Sequence, residues 1–138
     1  MSFWAGLDPG RCKCGLVLVD LDHCTVREGC IVPPEAVRAV LENWHNTAGL
    51  DGIVLGDGTT SRRWLQDLSN LAPMHEVDER DSTLQARQRY WDLWPPLGWR
   101  RLLPLGLQIP PSELDDLAAL VLVERHLQQT FSWVGERR

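Results

Sequence analysis

The sequence lacks any long apolar run. No stretch of its 138 residues approaches the roughly 20 consecutive apolar residues that a membrane-spanning helix needs. The first residues, Met1 to Trp4, also lack the basic start of a secretory signal. From these two absences we expect a soluble cytoplasmic protein with no membrane partner.

Cysteine and histidine are scarce, and neither occurs in a metal-binding or disulfide pattern. The four cysteines follow the spacing C-x-C-x9-C-x5-C, without a paired C-x2-C arrangement, and the four histidines form no H-x3-H pair. Thiols that stay inside the cell remain reduced. We therefore expect neither disulfides nor a zinc site.

Basic residues are outnumbered, since 14 Lys and Arg face 19 Asp and Glu and leave a net charge of -5. This balance argues against a protein that coats nucleic acid through a broad basic surface. Five arginines nevertheless lie in one short central stretch and could form one basic face. They are Arg80, Arg87, Arg89, Arg100 and Arg101.

The length is that of one compact domain, so residues 1–138 are treated as a single domain. Apolar alternation and turn residues predict three hairpin-linked strands, followed by strands and helices in alternation. The predicted strands are 3–8, 15–20, 24–32, 53–55 and 74–79; the predicted helices follow Pro33-Pro34, Thr59 to Ser61, Ser82 and Ser112, with a loop at 97–111. This order predicts an α/β fold with a mixed five-stranded sheet, three antiparallel strands then parallel strands, flanked by helices.

Two aspartates end predicted strands of this sheet. Asp8 follows the first strand between Gly6 and Gly10, and Asp57 follows the fourth. Ligands bind at the carboxyl ends of strands in such sheets, so the two carboxylates are expected side by side at one rim. An aspartate before a proline is also an ordinary turn residue, and that interpretation stays open for Asp8.

Further acids occur where helices begin. Asp78 and Glu79 precede one helix, and Asp115 and Asp116 lie in the first turn of the last. Compensation of the helix dipole would explain either pair. Acids from two strand ends and a helix start are, however, also the hard oxygen ligands of a Mg²⁺ site. Two such ions would suit in-line displacement at a phosphodiester.

Three blocks, GLDPGRCKCGLVLVD, VDERDSTLQAR and LDDLAALVLVERHL, resemble the signature blocks of the YqgF family in the family's order. VDERDSTLQAR is close to that family's D-E-R-x-[ST]-T-x-x-A-R pattern. The resemblance implies an RNase H-like fold and an Mg²⁺- or Mn²⁺-dependent endonuclease that resolves Holliday junctions or matures the ribosomal RNA precursor. Its partner would be branched DNA or structured RNA.

The same resemblance implies roles for particular residues. It places Asp8, Glu79 and Asp115 as the catalytic, metal-binding acids, with Arg80 and Arg87 near the substrate phosphates. Related resolvases have an acid where Asp57 stands, so Asp57 is a further candidate ligand, and helix register could exchange Asp115 for Asp116. The chain departs from the family's pattern at LGDGTTS and QIPPSELDD.

Seven tryptophans are many for this length. Trp91 and Trp94 share the helical spacing of Leu84, which favours core packing. Trp99 lies beside Arg100 and Arg101, and this combination is typical of substrate contact or a dimer interface.

Two other classes stay open. The segment D-P-G-x4-G also resembles the phosphate-binding start of actin-like ATPases and sugar kinases, which need two such domains, and a non-catalytic nucleic-acid-binding module could keep the fold. Two symmetric cuts in a junction would further imply a homodimer.

Overall fold

Six strands and four α-helices are found in residues 2–58, 60–95, 102 and 113–137, which are the residues that the computed structural model describes. The strands are β1 (Phe3–Asp8), β2 (Cys14–Asp20), β3 (Thr25–Val32), β4 (Leu50–Gly56), β5 (Met74–Val77) and β6 (Ser132–Arg137). The helices are α1 (Val37–Ala48), preceded by a 3-10 turn at Pro34–Ala36, α2 (Ser61–Leu68), α3 (Ser82–Leu93) and α4 (Asp115–Leu127). The predicted loop at 97–111 lies, apart from Leu102, outside the described residues.

All six strands form one sheet in the order β5-β4-β1-β2-β3-β6. β1, β2 and β3 pair antiparallel, whereas β4 is parallel to β1, β5 to β4, and β6 to β3. The predicted class, a mixed sheet with antiparallel then parallel strands between helices, is confirmed. The sheet holds one strand more than predicted, because β6 (SWVGER) is an edge strand that pairs along one side and needs no apolar alternation.

Helices cover both faces, so the central strand β2 is buried along its whole length. Side chains of β1 alternate between the two faces. Ala5 and Leu7 pack in the core beneath α1 and α2. Trp4 and Gly6 face α4, and the middle of this helix forms the second core. Asp8 lies on the same face of β1 as Trp4 and Gly6. At 13 residues α4 is short, and no helix in the described part of the chain has the length and apolarity to cross a bilayer.

Two glycines let α4 lie directly on the sheet. A Cβ at Gly6 would be 2.5 Å from Val123 Cγ2 and 2.8 Å from the Ala119 carbonyl oxygen. A Cβ at Gly15 would overlap the carbonyl of Asp115. Close backbone approach of this kind is possible only where no side chain intervenes. The start of α4 is therefore held above Gly15, which is the cross-strand partner of Asp8.

A partly buried ion pair joins α3 to α4 and to Phe131, the residue before β6. Arg89 donates two hydrogen bonds of 2.9 Å to the Glu124 carboxylate and one of 3.0 Å to the Phe131 carbonyl. Its side chain is 19% exposed. Arg89 is thus committed to structure, and the suggestion that it belongs to a basic face with its neighbours is wrong.

The aromatic residues of α3 also serve the core. Trp91 is buried, and Trp94 packs against Tyr90 and Trp133 with ring centroids 5.3 and 5.6 Å apart. Core packing, predicted for Trp91 and Trp94 from their helical spacing, is confirmed.

Candidate active site

Acidic residues from separate segments meet at one rim of the sheet. Because β1, β4 and β5 are parallel, their carboxyl ends lie together, and these ends carry Asp8, Asp57 and the pair Asp78-Glu79. The start of α4 adds Asp115 from above Gly15. A single edge therefore receives carboxylates from three strands and one helix.

Asp8 lies at the centre of this group. It is partly buried, and its pKa is raised from 3.8 to about 7, first by burial and then by the negative charges of Glu79 and Asp115. Burial and like charges both disfavour ionisation of a carboxyl. The structure thus brings Glu79 and Asp115 close enough to Asp8 for their charges to act on it.

Glu79 is held against the end of β4 by two glycines. A Cβ at Gly56 would be 2.7 Å from Glu79 Oε2, and one at Gly58 would overlap Oε1. Burial raises the pKa of Glu79, and so do the charges of Asp57 and Asp78. The glycines after β4 therefore make room for a carboxylate that comes from the next strand.

Asp57 neighbours Glu79. It is exposed, and its Oδ1 accepts the backbone N–H of Glu79 at 3.2 Å, while its own N–H donates to the Val77 carbonyl at 3.0 Å. These two bonds tie the end of β4 to the turn after β5. Asp57 thus positions Glu79, and its carboxylate acts electrostatically on that residue.

The two aspartates that begin α4 point differently. The pKa of Asp115 is raised by burial, lowered by the positive charge of Lys13, and raised by Glu113 and Asp116. Asp116 is fully buried, and its Oδ2 lies 3.3 Å from where a Cβ would stand at Gly29 in β3. Asp115 therefore faces Asp8, whereas the Asp116 carboxylate lies against the opposite half of the sheet.

The predicted substrate contacts are only partly described. Arg80 and Arg87 are exposed, and neither guanidinium forms an ion pair with another residue in the described part of the chain. Arg80 directly follows Glu79. Trp99, Arg100 and Arg101, the other predicted contacts, lie outside the described residues.

Two basic residues near the rim were missed by the sequence analysis. Lys13, in the β1–β2 loop, pairs with Glu113 at 2.6 Å. Arg125 donates to the Asp78 carbonyl at 2.7 Å and to Gln85 at 3.3 Å. A basic residue in the last turn of a helix is common, so nothing in the sequence marked Arg125. The lysine of GRCKCG stood within a quoted motif and was the better signal.

The donor set fits a hard divalent cation by its chemistry. Asp8, Glu79 and Asp115 offer oxygen ligands, which Mg²⁺ and Mn²⁺ prefer. Burial raises the pKa of Asp8 first, and the negative charges of Glu79 and Asp115, which a cation would offset, raise it further. Within residues 2–58, 60–95, 102 and 113–137, no three His, Cys, Asp or Glu side chains already stand at metal-binding distance.

The mixed sheet, the helix lying on β1 and β2, and acids at the carboxyl ends of parallel strands define the RNase H-like fold class. The solved structures that this chain resembles include two of a resolvase. RuvC of Thermus thermophilus in complex with a Holliday junction substrate is 17% identical, with a TM-score of 0.56 over 92% of this chain and 93% of that one. A second T. thermophilus RuvC structure is 15% identical, with a TM-score of 0.52 over 94% and 98%. At these identities the likeness establishes the fold.

No protein-family model matches the chain, and no curated protein sequence matches it. Residue roles therefore depend on the geometry of the site.

Proposed function

We propose that this protein is a metal-dependent endonuclease that hydrolyses phosphodiester bonds in structured nucleic acid, either branched DNA or structured RNA. The observation that carries the proposal is the position of a partly buried Asp8 at a strand-end rim that also receives Glu79 from the turn after β5 and Asp115 from the start of α4; burial first, and then the charges of these two acids, raises the pKa of Asp8 to about 7. Like charges gathered at a strand-end rim destabilise the fold, and such perturbed groups concentrate at functional sites. The RuvC structure that shares this fold is bound to a Holliday junction substrate.

In this proposal Asp8, Glu79 and Asp115 hold the cation. Asp57 fixes Glu79 through the hydrogen bond to its backbone N–H, and Asp116 is left out because its carboxylate is buried against β3. A bound Mg²⁺ or Mn²⁺ would activate water and neutralise charge on the leaving oxygen. The protein's own contribution is to hold Asp8 where burial and neighbouring acids disfavour its charge, so that a bound cation would favour its ionised form.

We assign substrate recognition to basic side chains on the surface. Arg80 and Arg87 are exposed and unpaired among the described residues, so their guanidinium groups are available for phosphates. Trp99, Arg100 and Arg101 remain predicted contacts. Symmetric cleavage of a four-way junction would require two copies of the chain related by a two-fold axis.

Cleavage of synthetic substrates tests the proposal. Synthetic four-way junctions and a ribosomal RNA precursor fragment, the substrates of the family resembled, are incubated with protein and Mg²⁺ or Mn²⁺. We expect metal-dependent cleavage that Asp8→Asn abolishes and that Asp51→Asn, at the opposite end of β4, leaves intact. Absence of both cleavage and metal binding would favour a non-catalytic binding module. ATP hydrolysis in place of cleavage would favour the actin-like class.

A further inference from the structure

Lys13 forms an exposed bridge over the proposed site. Its Nζ lies 2.6 Å from Oε1 of Glu113, and the two side chains are 50% and 58% exposed. Lys13 belongs to the loop that follows Asp8, and Glu113 lies two residues before Asp115. The pair thus joins the two segments that carry the central and the helix-borne carboxylates.

The charge of Lys13 acts on the site itself. The pKa of Asp115 is raised, first by burial and further by Glu113 and Asp116, and the ammonium of Lys13 acts against this rise. The hydrogen bond to Glu113 raises the pKa of Lys13, so the side chain stays positively charged. A cation therefore stands beside carboxylates that otherwise repel one another.

The partner of Lys13 is easily exchanged. An ion pair between two half-exposed side chains contributes little to stability because both groups remain solvated. A lysine ammonium is also a common ligand for phosphate. A phosphate of the substrate that approaches Asp115 can replace the Glu113 carboxylate without loss of a buried contact.

Sheet topology places Lys13, together with Arg11 of the same loop, on the other side of Asp8 from Arg80. Asp8 ends β1, with β4 and β5 on one side and β2 on the other. Arg80 follows the turn after β5, whereas Lys13 immediately precedes β2. A nucleic-acid strand lying across the rim over Asp8 would meet Arg80 on one flank and Lys13 on the other.

We propose that Lys13 is a substrate-binding residue, which leaves Glu113 when nucleic acid binds and contacts a phosphodiester oxygen next to the bond that is cut. Glu113 is then a competitor that holds the ammonium in the free protein. This inference rests on the proposed function and extends it to a residue for which neither the family resemblance nor the comparisons give a role.

Two variants of the pair give opposite results under this inference. Lys13→Met should lower the single-turnover cleavage rate at saturating junction about tenfold or more, as expected for the loss of a hydrogen bond to a charged group. Glu113→Gln should lower the half-saturating protein concentration about twofold to fivefold, because the competitor is removed. Lys13→Arg should retain most of the activity, and the double variant Lys13→Met/Glu113→Gln should match Lys13→Met alone.

The variants should behave differently if the Lys13–Glu113 pair has only a structural role. If the pair only fixes the loop to α4, both single variants weaken cleavage and lower the melting temperature together, and that result overturns the inference. Arg27→Met is the matched control, because Arg27 has a similar exposure of 54% and lies at the far end of the β2–β3 hairpin. It should change neither the rate nor the half-saturating concentration.

Binding measured without cleavage separates this inference from the proposed function. With Ca²⁺ in place of Mg²⁺, the salt dependence of junction affinity should fall in Lys13→Met by about 0.9 in the log-log slope, the value for one phosphate contact. An unchanged slope overturns the inference, whatever the cleavage result. If the wild-type protein binds junctions but cuts nothing, the proposed function fails, while the reduced slope still supports the contact. Absence of any nucleic-acid binding overturns both.

Discussion

Each strand of the β1–β2 hairpin ends in an aspartate. Because the strands are antiparallel, the two aspartates lie at opposite rims of the sheet, and their surroundings differ. Asp20, at the end of β2, is 1% exposed in its side chain and fully engaged. His23 Nδ1 lies 2.8 Å from its Oδ2, and the backbone N–H of Asp22 donates to its Oδ1 at 2.9 Å. Asp8, at the end of β1, faces Glu79 and Asp115 instead.

The pKa of each carboxyl follows from these surroundings. Burial acts to raise the pKa of Asp20, but the His23 side chain and the hydrogen bonds of the turn outweigh it, so the pKa is lowered. The pKa of Asp8 is raised to about 7 because burial and like charges act together. Asp20 therefore stabilises its turn, whereas Asp8, when ionised, lowers the stability of the fold. The location of an acid at a strand end is therefore not evidence of function until its partners are known.

The largest expected effect lies at the Asp8 end. Glu79→Gln removes one charged ligand and one source of repulsion, so cleavage should fall about a hundredfold, or about 2.7 kcal/mol in the activation barrier. The melting temperature of the metal-free protein should rise or stay unchanged. Single-turnover cleavage and thermal unfolding in EDTA measure the two quantities.

Glu76→Gln, an exposed position on β5, the strand that precedes Glu79, is the control and should alter neither quantity. A Glu79→Gln protein that still cleaves at the wild-type rate would remove Glu79 from the site.

The second largest effect is expected at Asp20, and it concerns the free energy of unfolding. Asp20→Ala leaves the backbone N–H groups of Asp22 and His23 without their acceptor, and it should lower the free energy of unfolding by about 2 kcal/mol. Cleavage per folded molecule should change less than about twofold, within the range of surface substitutions remote from a site. Urea unfolding and active-site titration provide the measurements. A large loss of cleavage with unchanged stability would contradict the contrast between the two ends.

The smallest effect is the pH dependence of stability. The pKa of Asp8 is raised in the folded state, so the native protein holds a proton that the unfolded chain has lost, and stability falls as pH rises from about 4 to about 7. Asp8→Asn removes this loss, so in EDTA its melting temperature should exceed that of the wild type above pH 7 by roughly 2 to 5 °C. Below pH 4 the two proteins should melt together.

Asp20 contributes with the opposite sign. Its pKa is lowered in the folded state, so its stabilisation is present above the ordinary carboxyl pKa and is lost as pH falls through the folded value. Melting temperatures of wild type, Asp8→Asn and Asp20→Ala between pH 3 and 8 would display both trends. A pH-independent difference between Asp8→Asn and wild type would show that the pKa of Asp8 is not raised in the folded protein.

Most of the fold could be predicted from local sequence patterns. The buried run of β2 and the helical spacing of α1 reflect interactions between near neighbours, which a sequence displays directly. The rim position of Asp8 and Asp57 followed from the parallel order of their strands. Edge strand β6 was missed because its exposed Val134 and polar neighbours carry no core pattern.

Contacts between distant residues could not be predicted in the same way. The partners Lys13 and Glu113 are 100 residues apart, and Arg89 and Glu124 are 35 apart. The choice between Asp115 and Asp116 depended on which glycine of the sheet lies beneath each, Gly15 or Gly29. Neighbouring residues in one helical turn face different directions, and only packing determines which of them faces Asp8.

Because α4 lies directly on Gly6 and Gly15, one part of the candidate site has a fixed geometry. Main-chain atoms, and not rotamers, set the separation of the segments that carry Asp8 and Asp115, so repacking of the surrounding apolar side chains leaves that separation unchanged. Glu79 instead comes from a turn fastened by hydrogen bonds to Asp57, and a turn can move by small changes in its torsions. The geometry of the rim can therefore change on the β5 side, while the α4 side stays fixed.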